Sequence, residues 1–348
     1  PASCTITAYA SLAAAIKGCN DLVISDMSVP ASSTLALTAL PSGGSITFAG
    51  KLTMGTTADS DFDPIVIEGD NVVITGAEGN IIDGNGASYW DGQGSNGGTD
   101  KPDHFIVVKD STNLVIENLN IQNWPTHCFY IENNQGVVVQ NLVLDNSAGD
   151  APNSASGSDP AAHNTDGFDI SSSDSVTLSN IKVYNQDDCV AVTSGSNILV
   201  DSMYCSGGHG LSIGSIGGKS NNTVAGVTFS NSEIANSENG CRIKTNADAT
   251  SGSVSDVTYK NIKLTDISDY GIDVQQDYEN GGATGSPGSD ITISDVTFED
   301  VTGTTTSDGV PYYVLCGVGS CSGFTFTGVS ITGGKSGSCN YPSTGCHS

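Results

Sequence analysis

Asp166, Asp187, Asp188 and His209 are the side chains in this sequence whose types and spacing suit proton transfer, and Arg242 and Lys244 follow them closely. Each heads or enters a short segment of one pattern: a polar or aromatic residue, then Gly or Cys, then apolar residues two apart. The segments are THCFYIE (126–132), TDGFDIS (165–171), DDCVAVT (187–193), GHGLSIG (208–214), ENGCRIK (238–244) and DYGIDVQ (269–275). Their leading column reads His127, Asp166, Asp188, His209, Asn239 and Tyr270. If like positions stack, Asp166, Asp188 and His209 become neighbours at the roughly 5 Å spacing of adjacent strands, with Asp187 beside them. Cleaving a glycosidic bond takes one carboxylic acid to protonate the leaving oxygen and a second carboxylate as base or nucleophile. Crowded carboxylates cannot all ionise freely, so repulsion supplies a proton donor at mildly acidic pH. His209 can keep the protonation states in order. Arg242, the only arginine in the chain, and Lys244 would grip an anionic sugar by charge-assisted hydrogen bonds.

The elements that must position these groups are short strands. The apolar columns Phe129, Phe168, Val190, Leu211, Cys241, Ile272 and Ile131, Ile170, Val192, Ile213, Ile243, Val274 are expected on one face, the leading polar column on the other. A second register repeats in NLVIENLNI (113–121), GVVVQNLVL (136–144), SVTLSNIKV (175–183), DVTYKNIKL (256–264) and DITISDVTF (290–298), with GFTFTGVSI (323–331) a weaker last copy. Asn118, Asn141, Asn180 and Asn261 share one column, at a bend that asks for left-handed backbone. Periods of 21–39 residues without long helices between them predict parallel stacking of like on like. The expected architecture is all-β: a right-handed parallel β-helix of about ten coils, one domain over residues 1–348. Residues 5–17 show helical spacing, so 1–20 should be a helical cap, and 336–348 a tail tied by disulfide. The insertions 85–103, 147–163 and 276–290 should wall a groove beside the polar column.

Single features also have ordinary explanations. One Asp at a strand entry is usually a turn former, but three in adjacent registers with His209 are not. His127 and Asn239 are expected to line the groove. Trp90 and Trp124 can stack on sugar, yet such residues more often anchor loops. Clustered acids raise calcium, but EF-hand spacing is absent and the cations oppose it, so no metal or cofactor is expected. GSIGGKS (214–220) lacks the spacing of a phosphate loop, and no nucleophile elbow occurs.

With 11 basic and 38 acidic residues the net charge is −27, which argues against nucleic acid as a partner. No run is apolar enough to span a bilayer. The sequence opens at Pro1 without a leader, as a processed secreted protein would. Eight of the ten cysteines form close pairs in sequence: Cys4/Cys19, Cys189/Cys205, Cys316/Cys321 and Cys339/Cys346. Without repeated C-x-x-C spacing, an extracellular disulfide framework fits better than zinc. Cys241 falls on an inward column and reads as a buried thiol. Asn221-Asn222-Thr223 is the sole glycosylation sequon.

NTD (164–166), DD (187–188), GHG (208–210) and RIK (242–244), in this order and spacing, resemble the four signature motifs of the polygalacturonases, glycoside hydrolase family 28, and are most similar to the secreted fungal endo-enzymes. The likeness covers essentially the whole chain. It implies the right-handed β-helix and inverting hydrolysis of α-1,4 links in polygalacturonate by a secreted monomer. It also implies that Asp187 is the general acid and that Asp166 and Asp188 activate water. His209 would assist, while Asn164, Arg242, Lys244 and Tyr278 would bind substrate. Cys128 and Cys241 are left over from the family's usual cysteine pairs. Exo-action, rhamnogalacturonan hydrolysis, calcium-dependent pectate lysis and a non-enzymatic adhesin are the alternatives.

Overall fold

The computed structural model describes residues 2–280 and 282–346. Pro1, Gly281, His347 and Ser348 lie outside the described residues, and with them the first residue of the expected cap and the last two of the expected tail. The chain divides into two compact units: Pro1–Asp169 with Val176–Asp187, and Ile170–Ser175 with Asp188–Ser348.

Both units are built from parallel ladders in which like residues face like. In the first, Leu35–Leu37, Ile65–Ile67, His104–Lys109 and His127–Glu132 pair in that order, with Ile106 opposite both Ile65 and Phe129. A second ladder stacks Val73, Val115 and Val138. In the second unit, Val190–Val192, Leu211–Ile216, Asn239–Asn246, Tyr270–Tyr278, Val310–Leu315 and Ser338–Cys339 pair successively. The column Val190, Leu211, Cys241, Ile272 is in register as the repeat predicts, and every member is 0% exposed. Burial on this face is what makes register costly to slip, since a shift of one residue would turn the whole set outward.

The Gly column has a steric cause. A Cβ on Gly210 would lie 2.3 Å from the carbonyl oxygens of Asn239 and Gly240, and one on Gly240 would lie 2.4 Å from that of Gly271. The predicted asparagine column also forms. Asn118, Asn141, Asn180 and Asn261 all have φ between 53° and 59°. Asn180 Nδ2 donates to Asn141 Oδ1 at 2.7 Å in the first unit, and Asn261 Nδ2 to Asn231 Oδ1 at 2.8 Å in the second.

The amino-terminal segment differs from expectation. Only Leu12–Gly18 is α-helical, after a 3₁₀ turn at Tyr9–Ser11, and Leu12, Ala15 and Ile16 are its buried side. Ala2–Ile6 is a strand parallel to Cys19–Ser25, with Thr5 opposite Val23 and Ile6 opposite Ile24. Backbone pairing with an existing edge outweighs helical spacing there, and the Cys4–Cys19 bridge joins the two strands. Cys189–Cys205, Cys316–Cys321 and Cys339–Cys346 also form, with Cα separations of 5.9–6.0 Å. Cys128 and Cys241 are free and buried, and burial pushes both thiols well above the ordinary range.

Inside the second unit Phe229, Tyr259, Phe298 and Phe326 stack with ring centroids 4.7–5.3 Å apart. Tyr259 donates its hydroxyl to the carbonyls of Arg242 and Leu211 at 2.8 and 3.2 Å, tying this stack to the strands that carry the cations. Phe298→Ala should therefore lower stability by about 3–5 kcal/mol, read as a lower urea midpoint of unfolding.

Candidate active site

Asp166, Asp188 and His209 each precede their strand, which begin at Phe168, Val190 and Leu211. This corrects the alternation argument, because a residue two before an apolar position shares its face and could not point away from it inside a strand. The turn before each strand frees these side chains from that alternation. Asn239, by contrast, lies inside Asn239–Asn246, is 1% exposed, and is core rather than groove lining.

In the first unit the two polar triplets Asn164–Asp166 and Asn185–Asp187 brace one another. Thr165 Oγ1 donates to Gln186 Oε1 at 2.7 Å and accepts from the Gln186 amide at 2.9 Å. Asn185 Nδ2 donates to the carbonyls of Thr165 and Asp187 at 3.0 and 2.8 Å. Asn164, left-handed at φ 52°, donates Nδ2 to Asp187 Oδ2 at 3.1 Å and accepts the Ser95 amide at 3.2 Å. Asp187 is half-buried and Asp166 is buried. His127 is half-buried, its Nε2 facing Asp166 Oδ1 at 3.7 Å. Trp90 and Trp124 are loop anchors. Trp90 packs with Ala161 and Ala162 and donates Nε1 to the Trp124 carbonyl at 3.1 Å, folding insertion 85–103 against 147–163.

In the second unit Asp188 is 2% exposed and spans two donors: Lys244 Nζ at 2.8 Å from Oδ2 and Ser212 Oγ at 2.7 Å from Oδ1. Arg242 donates Nε to Asp273 Oδ2 and its terminal nitrogen to Gln275 Oε1, each at 3.1 Å. The two cations are thus buried partners of acids, at 8% and 7% exposure, rather than open surface charges. Tyr278 closes over both, its ring centroid 5.6 Å from the Arg242 guanidinium and 5.2 Å from the Lys244 ammonium. It ends the strand Tyr270–Tyr278, so the third insertion begins after it and not at residue 276; Gln276 and Asp277 are 0% exposed. His209 Nε2 lies 3.2 Å from Glu238 Oε2. Burial pushes the Asp273 carboxyl up to about 7 even against the Arg242 charge, with Asp269 and Asp277 adding to the rise.

Asn164, Asp166 and Asp187 therefore gather in the first unit and Asp188, Arg242, Lys244 and Tyr278 in the second. The two groups meet in the chain at the Asp187–Asp188 peptide bond. Ser212, Glu238, Asp273 and Gln275 were missed by the sequence reading. Ser212 and Asp273 sit in register with Arg242 on the same column, so the repeat contained the signal.

The profile described as "Glycosyl hydrolases family 28" matches residues 19–348. The chain belongs to this family. It is 65% identical over 344 residues to endopolygalacturonase D of Aspergillus niger, covering 99% of this chain and 69% of that one. Identity to a polygalacturonase of Fusarium fujikuroi is 59%, covering 99% and 93%. Among solved structures, endopolygalacturonase I of Stereum purpureum, complexed with two galacturonates, superposes with a TM-score of 0.81 at 34% identity and 96% coverage of both chains. The fold is the family's right-handed parallel β-helix, and a family 28 chain with it is a glycoside hydrolase.

Two stability outcomes follow from the buried charges. Lys244→Met takes the ammonium from the buried Asp188 carboxylate and should cost about 3–5 kcal/mol, measured by denaturant unfolding. Asp273 has a folded pKa near 7, raised above its unfolded value, so the native state holds the extra proton between roughly pH 4 and 7. Stability should fall as pH rises through that window, and Asp273→Asn should flatten this part of a Tm-against-pH curve.

Proposed function

We propose that this chain is a secreted endo-polygalacturonase that hydrolyses α-1,4-galacturonosidic links within polygalacturonate with inversion. Family membership and the names of its relatives support the reaction class. The observation that carries the residue roles is the contrast between two consecutive acids. Asp188 is buried with an ammonium and a hydroxyl on its two oxygens, surroundings that suit a carboxylate. Asp187 is half-buried and accepts the neutral Asn164 amide at 3.1 Å, which suits a proton donor. In this reading Asp187 protonates the glycosidic oxygen as the C1–O bond breaks. Water, oriented by Asp166 and Asp188, forms the new bond at C1 and gives up a proton to that pair. His209, held by Glu238, assists. Asn164, Arg242, Lys244 and Tyr278 bind the sugar, the two cations meeting its carboxylate. Residues 1–348 act as one monomeric catalytic domain with no cofactor. Asn221, half-exposed with its Oδ1 accepting the Thr223 amide at 3.1 Å, is the glycan acceptor.

Asp187→Asn should lower kcat by about 10²–10⁴ while leaving the unfolding midpoint in place; a drop under tenfold puts the acid elsewhere. Proton NMR of the first product should show the β-anomer, and an initial α-anomer overturns inversion. Viscosity of polygalacturonate should fall steeply before many reducing ends appear, with or without chelator. A fall that chelator abolishes, or unsaturated ends absorbing in the ultraviolet, would replace the hydrolase with a lyase.

A further inference from the structure

We propose that His127, pinned by Asp103, is a positioning residue that holds the Asp166 carboxylate charged and oriented for its part in activating water. This role presupposes the hydrolase reading above. His127 opens the strand His127–Glu132, and its backbone amide donates to the Asp103 carbonyl at 3.1 Å. Its ring Nδ1 reaches the same carbonyl at 2.8 Å and lies 3.4 Å from Asp103 Oδ1. A carbonyl only accepts, so Nδ1 carries a proton and Nε2 is the nitrogen turned to Asp166 Oδ1 at 3.7 Å. His104 fixes the ring from its side: the imidazoles lie 5.1 Å apart, and His104 itself stacks on Tyr130 at 4.4 Å.

The charged and titratable groups around the His127 ring are Asp103 and His104 from the preceding rung, and Asp166 and Asp169 from the following segment; the buried Cys128 thiol is its neighbour in the chain. Three carboxylates against one other imidazole favour the doubly protonated ring. Burial works against its charge, but the Asp103 hydrogen bond and the Asp166, Asp169 and Asp103 charges outweigh burial and hold the ring well above its ordinary range. At 3.7 Å the contact with Asp166 is an ion pair rather than a hydrogen bond. An opposite charge at that distance favours the ionised carboxylate. Asp166 is 6% exposed, and burial by itself disfavours its charge, so the imidazolium acts in the direction that its role requires.

His127→Gln keeps a polar side chain of similar reach but removes the charge, and Asp103→Asn weakens the charge while leaving His127 in place. Two readouts are compared with wild type: the acid limb of kcat/KM on polygalacturonate, and the imidazole titration of His127 by NMR, with and without Asp166→Asn. In both variants the acid limb should move to higher pH, with kcat/KM falling about tenfold below the limb and much less on the plateau. The His127 ring should lose its proton at lower pH once Asp166 is Asn. A uniform fall in activity at every pH, with the limb unmoved, makes His127 merely structural and overturns the proposal, as does an imidazole titration indifferent to Asp166→Asn. Should His127→Gln not fold, Asp103→Asn and the NMR titration still decide. Wild type inactive on polygalacturonate sinks the hydrolase reading, whereas an active wild type with unmoved limbs sinks this role alone.

Discussion

Parallel in-register stacking is the constraint on which everything else in this protein depends. Each rung places its backbone groups against those of the next, so identical positions of the repeat face one another at strand spacing. The inward columns become continuous lines of Val, Leu, Ile and Phe, and the glycine column closes the rungs to distances that no Cβ would tolerate. The same stacking brings residues 20 to 60 positions apart in sequence into hydrogen-bond range, as it does for Asp188 and Lys244 or Thr165 and Gln186.

A chain with net charge −27 can manage an anionic polymer only if its few cations are concentrated and kept. Arg242 and Lys244 are concentrated on one strand and kept by burial, each bonded to a buried acid of its own and under a shared aromatic lid. Buried ion pairs add little net stability, but they are costly to break from one side. Such pairs therefore fix geometry more than they add stability. His127 and Asp103 repeat the device in the first unit, where an imidazole stands in for the ammonium.

Much of the repeat was readable because strand periodicity and stacking are local rules applied many times. The apolar columns and the asparagine bend follow from residue type and spacing, and the four bridges form between the cysteines that lie close in sequence. Alternation holds only inside strands, and helical spacing yields where a sheet edge is available. Asp166, Asp188 and His209 lie in turns where backbone direction changes, and Thr5 and Ile6 follow an available sheet edge rather than the helical spacing of residues 5–17. Glu238 and Asp103 gave no signal, since nothing in their own segments reveals which imidazole lies beside them.

By itself the sequence determined the class of chemistry, the stacked architecture and the order of the acidic and basic groups along it. Tertiary structure alone decided how each charge is spent: which acid is clamped by an ammonium, which accepts an amide, and which imidazole is steered by a carbonyl. Those differences arise from burial and from partners on neighbouring rungs, and both are properties of the folded solvent environment rather than of residue type.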